Sequence, residues 1–274
     1  MTQAPRGPLL LLGGGKMGGA LLAGWIKAGL RPADAWVVEP DAGRRQALQA
    51  EHGVHVAADV ASLVGLETAR TLVVAVKPQM LNAALPACRP LVGPQTLVLS
   101  IAAGKTIAAF EAMLGPGTRI VRAMPNTPAA VGRGATALFA NALVELDRKA
   151  EAEALMAAVG ITAWLDSEEQ MHAVTAVSGG GPAYVALLIE TLAESAVQLG
   201  LPADLAMRLA RATVVGSGEL ARQSPSPAAQ LRIDVTSPGG TTQAALHVLM
   251  AEDGIQPLFD RAMRAAARRS QELG

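Results

Sequence analysis

A glycine-rich stretch near the start of the chain restricts its fold more than any other feature. Gly13, Gly15 and Gly18 satisfy the pattern G-x-G-x-x-G, directly after an apolar run that is typical of a buried strand. The pattern alone is common in proteins. Here it also opens a predicted helix, Met17–Ala28, and an acidic residue, Glu39, follows at the distance that dinucleotide-binding folds use. The stretch therefore predicts a strand, a tight turn and a helix that together bind a dinucleotide.

Each glycine of this turn has its own physical task in the prediction. Gly13 permits the tight turn, Gly15 allows the backbone to approach a pyrophosphate, and Gly18 lets the helix pack against the strand. The first turn of the helix adds free N–H groups and a partial positive charge for the phosphates. We therefore predict that the whole turn contacts the cofactor, namely Gly13, Gly14, Gly15, Lys16, Met17 and Gly18.

The residues after the second predicted strand leave the choice of cofactor open. Glu39 ends that strand, and a carboxylate there accepts hydrogen bonds from a ribose diol and repels a 2′-phosphate, which favours NADH. Arg44 and Arg45 follow within two helical turns. They are either solvated surface charges or the ligands of a 2′-phosphate, which would favour NADPH. The sequence predicts a nicotinamide cofactor, NADPH or NADH, without choosing between them.

Apolar runs and helical patterns alternate through residues 1–165. Continuous hydrophobic strands separated by helices predict a doubly wound parallel sheet covered on both faces, the Rossmann type of α/β fold. The strands are expected at Pro8–Gly13, Ala35–Glu39, Thr71–Val76, Thr96–Ile101, Thr118–Ala123, Ala135–Ala140 and, shorter, Thr162–Leu165. The helices between them are expected at Met17–Ala28, Ala42–Glu51, Ile107–Leu114 and Arg148–Val159.

Strand-like runs stop at about Asp166, and only helical patterns follow. One of these helices, Ala183–Gly200, is apolar around most of its circumference, which is typical of a helix buried on several sides. A domain of this size has little interior to bury it, so we expect the region to dimerise with helices shared between subunits. The predicted division is a dinucleotide-binding domain, 1–165, and an all-α dimerisation and substrate-binding domain, 166–274.

Two loops at predicted strand ends are placed for ligand binding, because ligands bind at the carboxyl ends of strands in open parallel sheets. Val76, Lys77 and Pro78 end the third apolar run, and Pro78 stops the strand since proline donates no ladder hydrogen bond. The second loop, Met124–Pro128, has prolines on both sides of Asn126 and is therefore stiff. It is either an ordinary turn or a wall for the nicotinamide ring, and we expect the wall.

A later glycine-containing segment, Ser237–Thr242, joins two predicted helices. Its glycines let successive backbone N–H groups converge on one anion, helped by the N-terminus of the following helix. Thr241 and Thr242 are also ready helix caps. The segment is therefore either an ordinary capped turn or a carboxylate cradle with a hydroxyl beside it, and its sequence alone leaves both interpretations open.

Acid and base groups suited to catalysis are scarce in the rest of the chain. No histidine falls near the expected cleft, and no lysine follows Lys149. A dehydrogenase that needs a lysine in its second domain is therefore disfavoured. Reduction of a C=N bond fits better, because a protonated imine is already an electrophile and needs no strong protein base. No residues suggest a metal site.

Composition argues against several other classes of protein. The chain carries 23 basic and 23 acidic residues, and this balance disfavours a nucleic-acid or anionic-membrane partner. Cys88 is the only cysteine, so no internal disulfide is possible, which fits a reducing compartment. No uncharged apolar stretch is long enough for a membrane span. The protein is expected to be soluble and cytoplasmic.

Six segments, in order along the chain, resemble the pyrroline-5-carboxylate reductases. They are Leu12–Gly18, Ala75–Gln79, Ser100–Gly104, Arg122–Pro128, Ala173–Gly179 and Val235–Thr242. The last is highly specific, and the resemblance runs from about residue 9 to 273. It implies a Rossmann domain followed by a helical dimerisation domain with interlocked subunits, often assembled into pentamers of dimers. It also implies hydride transfer from NADPH or NADH to the imine carbon of pyrroline-5-carboxylate, the last step of proline biosynthesis.

The resemblance also implies roles for individual residues. Besides the glycine-rich turn, the cofactor would contact Ala75, Val76, Lys77, Pro78 and Asn126, the last beside the nicotinamide. The substrate would contact Ser237, Gly239, Gly240, Thr241 and Thr242. Among these, backbone groups and the Ser237 hydroxyl would hold the carboxylate. The Thr242 hydroxyl would meet the ring nitrogen and relay its proton, which makes it the expected catalytic residue.

The chain departs from the family pattern at four positions. Lys16 stands where asparagine is frequent and brings a positive charge near the pyrophosphate. Val60 replaces an asparagine that contacts the cofactor in many members, Gly180 replaces a frequent serine, and Pro225 stands where some members carry a glutamate. None of these positions lies on the expected hydride path.

Two other interpretations stay open at this point. A different two-domain NADP-dependent reductase, such as one that reduces a deazaflavin, would share the first glycine motif but would not need Ser237–Thr242. A nucleotide sensor without catalytic activity is also compatible with the fold, because fold does not determine function.

Overall fold

The structure of the chain, a computed structural model, describes residues 6–273. Within these residues, eight strands form one sheet: β1 Leu9–Leu12, β2 Ala35–Val38, β3 His55–Ala57, β4 Ala69–Val74, β5 Val92–Ser100, β6 Arg119–Met124, β7 Gly134–Ala140 and β8 Gly160–Trp164. Their order is β3-β2-β1-β4-β5-β6-β7-β8. The chain winds outwards in both directions from β1 and β4, which confirms the predicted doubly wound sheet and creates a crevice at the switch point.

The four helices predicted between the strands are all found within two residues of their expected bounds. The helices of the sheet region are α1 Lys16–Lys27, α2 Ala42–His52, the short α3 Leu81–Ala84, α4 Ile107–Leu114 and α5 Leu146–Ala157. The later ones are α6 Gln170–Val174, α7 Gly181–Gln198, α8 Ala203–Gln223, α9 Ala228–Asp234, α10 Thr241–Leu249 and α11 Ile255–Glu272. A π-helical turn, Thr175–Gly179, lies between α6 and α7.

Two hydrophobic cores lie on opposite faces of the sheet, and β1 contributes to both. Leu9 and Leu11 pack into one core together with Trp25 of α1, while Leu10 and Leu12 pack into the other. All four leucines are almost fully buried. Because successive side chains of a strand point to opposite faces, a strand covered on both sides must be apolar at every position. This requirement explains why four consecutive leucines form β1.

The sheet is not parallel throughout, which corrects the sequence prediction in one respect. β7 runs antiparallel to β6, and β8 runs parallel to β7. The segment from Pro125 to Arg133 connects β6 to β7, and it is too short for the crossover of a dozen or more residues that a parallel pair needs. The edge strand β3 was not predicted, because three residues carry too little pattern to be recognised.

The described residues divide into two compact units. The first comprises the chain up to residue 179 together with the residues from 267 onwards, and the second comprises 180–266. The sheet ends at Trp164, next to the predicted boundary at 165. The first unit nevertheless continues past that point and includes α6, the π-helical turn and the end of α11. The boundary between the two compact units therefore lies just before α7, between residues 179 and 180, and not at the end of the sheet.

The second unit is helical and exposes many large apolar side chains. Leu187, Leu199, Val215 and Leu220 are each 60% exposed or more. Among the described residues of α7, only Ala193 is buried. A single copy of this unit thus leaves uncovered the apolar surface that the sequence analysis assigned to a dimer interface.

One helical stretch, Gln170–Gln198, is long and apolar enough to cross a membrane when judged by length and composition alone. Only 6% of its most apolar window is buried. This stretch contains α7, whose exposed apolar side chains are equally those expected of a helix that packs against a second chain. Length and hydropathy therefore do not by themselves identify a membrane helix here.

Candidate active site

A cleft of about 540 Å³ opens at the carboxyl ends of β1, β4, β5 and β6. Four segments at or shortly after the ends of these strands line it: Gly15–Met17, Ala75–Pro78, Ile101–Ala103 and Met124–Thr127. Arg44 and Gly179 complete the lining. The cleft thus brings together eight of the predicted cofactor residues, namely Gly15, Lys16, Met17, Ala75, Val76, Lys77, Pro78 and Asn126. Arg44 is one of the two arginines whose role the sequence left open, and the segment Ile101–Ala103 was not among the predicted contacts.

The glycine-rich turn is packed so closely that side chains are excluded at two of its positions. Gly13 has φ +102°, and a Cβ there would lie 2.9 Å from the backbone of Ala75. A Cβ at Gly18 would overlap the carbonyl oxygen of Gly13. At Gly15, by contrast, a Cβ would meet only the guanidinium of Arg44, at 3.2 Å. Gly13 and Gly18 therefore shape the turn, while Gly15 presents its backbone to the cleft.

The start of α1 is suited to hold a pyrophosphate. Gly15 is its N-cap residue in an extended conformation, and no side chain in residues 6–273 caps the helix there. The first N–H groups of α1 are therefore available to a ligand, and the helix dipole favours an anion at this end. Lys16 is exposed at the same place and adds a positive charge. The residues present thus fit the phosphate end of a dinucleotide.

Glu39 lies behind the turn and is only 7% exposed. Its Oε2 accepts a hydrogen bond of 3.0 Å from the backbone N–H of Gly14, and its Oε1 accepts one of 3.0 Å from the N–H of Asp41. Both carboxylate oxygens therefore have backbone partners. Glu39 is not among the residues that line the cleft.

The two arginines of α2 differ in their surroundings. Arg45 donates from Nη1 to the carbonyl oxygens of Glu39, at 2.8 Å, and Pro40, at 2.6 Å. Arg44 is exposed, lines the cleft beside Gly15, and forms no ion pair with any carboxylate in the described part of the chain. Arg45 therefore stabilises the bend between β2 and α2, and Arg44 is the arginine available to a ligand.

Asn126 joins the loop after β6 to the π-helical turn. Its Oδ1 accepts a hydrogen bond of 2.9 Å from the N–H of Ala135, and its Nδ2 donates to the carbonyl oxygen and the hydroxyl of Ser178, at 3.3 and 3.2 Å. The next residue, Gly179, lines the cleft and lies directly against Met124. Asn126 thus fixes two walls of the cleft relative to each other. π-Helical turns of this kind occur frequently at functional sites.

A buried ion pair supports the same loop, and sequence reasoning did not identify it. Nη1 of Arg122, on β6, lies 2.7 Å from Oε1 of Glu168, and the Arg122 side chain is only 7% exposed. The same oxygen accepts a hydrogen bond of 2.8 Å from the N–H of Ile107 at the start of α4. The pair holds together β6, α4 and the segment before α6. Its partners are 46 residues apart in the chain, so no local pattern reveals it.

The second-unit segment Ser237–Thr242 forms a turn followed by α10. Gly239 has φ +72°, and the N–H of Gly240 donates to the carbonyl oxygen of Ser237 at 3.0 Å. Gly240 is the N-cap residue of α10, and within the described residues no side chain caps that helix. The threonines therefore do not act as caps, which removes the structural reason for an ordinary capped turn.

The polar groups of this turn are largely available. The hydroxyls of Ser237, Thr241 and Thr242 have no hydrogen-bond partner within residues 6–273, and all three residues are exposed. The N–H of Gly239 donates to the side-chain oxygen of Gln243 one helical turn further on. An amide oxygen thus occupies one position that the predicted cradle would offer to a carboxylate oxygen.

Cys88 lies apart from the cleft. It is fully buried, and burial raises the pKa of its thiol to about 12. A thiol with this pKa stays protonated at neutral pH and is a poor nucleophile. Cys88 is therefore a core residue and is not placed to act as a nucleophile. No group of three or more metal-binding side chains occurs in the part of the chain that the structure describes.

Two family models each match a part of the chain. Residues 168–273 match the model described as pyrroline-5-carboxylate reductase dimerisation. Residues 9–104 match the model described as NADP oxidoreductase, coenzyme F420-dependent. The first matched segment contains the exposed apolar helices, and the second contains the glycine-rich turn.

Similar proteins extend the match over the whole chain. A pyrroline-5-carboxylate reductase of a Synechocystis species is 44% identical over 96% of this chain and 97% of its own length. The structure of the corresponding enzyme of Coxiella burnetii has a TM-score of 0.91 and 38% identity, with 99% of both chains covered. That of Plasmodium falciparum, with NADP bound, has a TM-score of 0.82 and 30% identity over 100% of this chain and 99% of the other.

Proposed function

Because the chain belongs to the pyrroline-5-carboxylate reductase family, we propose that it reduces Δ1-pyrroline-5-carboxylate to L-proline with NAD(P)H. The observation that carries the proposal is the full-length match to reductases of this one substrate, in a chain whose cleft suits a dinucleotide. The protein is then an NAD(P)H-dependent oxidoreductase acting on a CH–NH bond, in the final step of proline biosynthesis.

We assign the cofactor to the cleft of the first unit. When bound there, NAD(P)H supplies the hydride for reduction of the imine carbon. The open backbone of Gly15 and the start of α1 bind its pyrophosphate. Ala75–Pro78 lies against the nucleotide, and Asn126 holds the loop that flanks the nicotinamide ring. In support, the hydrogen bonds of Asn126 tie that loop to Ala135 and to Ser178.

We assign the substrate carboxylate to the turn Ser237–Thr242. The backbone N–H of Thr241 and the Ser237 hydroxyl can donate to a small anion of this kind, and the N–H groups of Gly239 and Gly240 can join them on leaving their present acceptors, Gln243 and the Ser237 carbonyl oxygen. The side-chain oxygen of Gln243 must leave the Gly239 N–H when the carboxylate binds. The exposure of the turn and the free hydroxyls support this assignment.

The chemistry requires one proton at the ring nitrogen. A protonated imine accepts hydride readily, and the nitrogen of the product amine keeps that proton. The Thr242 hydroxyl can donate a hydrogen bond to the ring nitrogen or accept one from it, so it orients the imine and relays the proton from solvent. This role makes Thr242 the catalytic residue of the proposal.

One assay tests the proposed reaction directly. Purified protein is mixed with NADPH or NADH, and oxidation is followed at the absorbance of the reduced nicotinamide with and without pyrroline-5-carboxylate. We expect oxidation that depends on the substrate and formation of proline in equal amount. Binding of NADPH without any substrate-dependent oxidation would contradict the proposal. The protein would then be a nucleotide-binding protein with a different function.

The match of residues 9–104 to an F420-dependent oxidoreductase model favours one second candidate, reduction of a deazaflavin. That match covers the nucleotide-binding half alone, whereas residues 168–273 match the dimerisation model of the first candidate. The same assay with a deazaflavin in place of pyrroline-5-carboxylate separates the two. We expect no deazaflavin-dependent oxidation.

We further propose that the protein is a cytoplasmic homodimer that binds neither nucleic acid nor membranes. The balanced charge supports the first exclusion, and the exposed apolar helices of the second unit are accounted for by self-association. Assembly of dimers into a decamer is the further possibility that the family resemblance implies. Light scattering after size-exclusion chromatography distinguishes two chains from ten, and a monomeric protein would contradict the proposal.

A further inference from the structure

We infer that Glu39 is a positioning residue that holds the glycine-rich turn, and that Arg44 rather than Glu39 selects the cofactor at its adenosine ribose. The inference rests on the proposed use of NAD(P)H and narrows it to NADPH. A carboxylate at the end of the second strand is ordinarily a ribose ligand that favours NADH. The contacts of this carboxylate indicate a different task.

Both oxygens of Glu39 are committed to backbone groups. The N–H groups of Gly14 and Asp41 each donate to a different oxygen at 3.0 Å, and the residue is only 7% exposed. Hydrogen bonds to an ionised acceptor are strong, and a buried carboxylate without such partners is costly. Gly14 is itself buried, so its N–H has no access to water. The carboxylate thus ties the end of β2 to the turn after β1.

The same carboxylate also orients the helix that carries Arg44. The Asp41 backbone that Glu39 holds is the N-cap of α2, and the Asp41 side chain accepts a hydrogen bond of 2.8 Å from the N–H of Arg44. Arg45 donates to the carbonyl oxygen of Glu39 at 2.8 Å and fixes the bend from the other side. A continuous set of hydrogen bonds therefore runs from the glycine-rich turn to Arg44.

This arrangement presents the Arg44 guanidinium next to the backbone that binds the pyrophosphate. The guanidinium lies 3.2 Å from the position that a Cβ on Gly15 would take, and within residues 6–273 no carboxylate neutralises it. A guanidinium forms paired, charge-assisted hydrogen bonds with phosphate oxygens. The adjoining carboxylate of Glu39 faces backbone donors instead of the cleft. The positive charge of Arg44 therefore determines which nicotinamide cofactor is preferred, and it favours NADPH.

The selection by Arg44 is tested by binding, without any substrate. Isothermal titration calorimetry compares 2′,5′-ADP, which carries the 2′-phosphate, with 5′-AMP, which does not. We expect Arg44→Ala to weaken binding of 2′,5′-ADP by about 10- to 100-fold and that of 5′-AMP by less than about twofold. Arg44→Lys should fall between, because an ammonium keeps the charge and loses the paired geometry. Lys27→Ala, an exposed cation at the far end of α1, is the control and should change neither ligand.

An equal loss for both nucleotides, or no loss for 2′,5′-ADP, would overturn the assignment of Arg44. The first result would mean that Arg44 shapes the cleft as a whole. The second would mean that its guanidinium does not meet the 2′ position.

The role of Glu39 is tested with Glu39→Gln and Glu39→Ala. A positioning role predicts that both variants lower the Tm of the free protein, by roughly 2–10 °C for Glu39→Ala and less for the glutamine, which keeps one acceptor oxygen. It also predicts that NADPH weakens at least as much as NADH, because Glu39 holds the turn that both cofactors use and orients the helix that carries Arg44. If Glu39 instead binds the ribose diol, NADH weakens selectively, NADPH binds more tightly and the Tm of the free protein is unchanged. That pattern would overturn the inference, and the glutamine variant reports it even if the alanine variant does not fold.

These measurements separate this inference from the proposed reaction. A protein that shows the expected nucleotide pattern but does not oxidise NADPH with pyrroline-5-carboxylate contradicts the reaction and leaves the roles of Glu39 and Arg44 intact. A protein that turns over the substrate, but in which Arg44→Ala weakens 2′,5′-ADP and 5′-AMP equally, contradicts the role of Arg44 alone.

Discussion

The two glycine-containing turns of the molecule are built in opposite ways. The first is packed against β4 and β2, and its neighbours leave no room for a Cβ at Gly18. The second is exposed, and apart from the neighbouring residues in the chain no atom of residues 6–273 lies within 4 Å of a Cβ built at Gly239. The buried carboxylate of Glu39 holds the first turn, whereas the hydroxyls of the second have no partner in the described chain. One turn is complete before a ligand binds, and the other is not.

The difference indicates how binding free energy is divided between the cofactor and the substrate. A preorganised turn loses little conformational entropy when a ligand binds, so the cofactor site can bind tightly from the outset. An exposed turn must be ordered by its ligand or covered by another chain. Because interactions made only in the transition state accelerate the reaction, we expect the second turn to affect turnover and the first to affect cofactor affinity.

The largest effect is expected when one glycine of each turn is replaced by alanine. Gly18→Ala introduces a Cβ that overlaps the carbonyl oxygen of Gly13, and this oxygen cannot move aside because it belongs to the backbone. We expect a loss of at least about 3 kcal/mol of folding free energy, and no cofactor binding. Gly239→Ala meets no described atom beyond its neighbours in the chain and bears only the strain of a positive φ, about 1–2 kcal/mol. Urea unfolding and NADPH titration measure both. Similar losses at the two positions would show that the turns do not differ as described.

Thr242→Ala removes a hydroxyl that no described group contacts. If Thr242 relays the proton, turnover falls by about 10²–10⁴-fold, while cofactor affinity and Tm stay near their original values. Thr242→Ser restores the hydroxyl and should recover most of the activity. Equal losses of turnover and of cofactor affinity would assign Thr242 a structural role, and the contrast between the turns would lose its functional meaning.

The sequence predicts the first turn better than it predicts the residues around it. Local pattern suffices for the turn, because a strand, three spaced glycines and a helix lie within a few residues of one another. The partners of Glu39 are backbone groups, which no sequence pattern marks. The pairing of Arg122 with Glu168 depends on how α6 returns to the sheet, and the same holds for the contact of Asn126 with Ser178.

The direction of β7 was within reach of the sequence and was nevertheless missed. The apolar run Ala135–Ala140 was predicted correctly as a strand, but its direction was taken from the strands before it. The length of the connection from Pro125 to Arg133 decides the direction, because a parallel neighbour needs a longer crossover. The exposure of α7 is a different matter, since a surface that awaits a partner chain looks like a buried core in the sequence.

Asn126→Ala tests whether the cleft of the first unit is held by its own side chains. The change leaves the N–H of Ala135 without its acceptor and releases the π-helical turn at Ser178. We expect NADPH binding to weaken by about 10-fold and Tm to fall by several degrees, roughly 2–10 °C.

Asn126→Asp is the matched comparison, because it keeps an oxygen for the N–H of Ala135 while it replaces the donor to Ser178 by a negative charge. An effect smaller than that of alanine places the important bond at Ala135. If neither variant changes cofactor affinity, the cleft does not depend on this connection, and the first unit is less preorganised than the comparison requires.

The smallest expected effect concerns Cys88, which reports opening of the first unit. Its thiol is buried with a pKa of about 12, so at pH 8 a thiol reagent labels it only when the surrounding core opens. NADPH at ten times its Kd should slow labelling by about 10-fold, because it stabilises the closed unit by that factor. Proline alone should change the labelling rate by less than about twofold, because its proposed binding site, the turn Ser237–Thr242, lies in the second unit.

The pH dependence of the labelling provides a further check on its mechanism. The pKa of Cys88 is raised by folding, so the stabilisation is fully present below its ordinary value of 9.0 and is lost as the pH rises towards 12. Labelling should therefore accelerate above pH 9 more steeply than thiolate formation in a free thiol explains, and Cys88→Ala should remove the excess pH dependence of unfolding. Rapid labelling at pH 8 that NADPH does not slow would show that this core opens independently of the cofactor cleft, and the first unit would not be the preorganised half of the molecule.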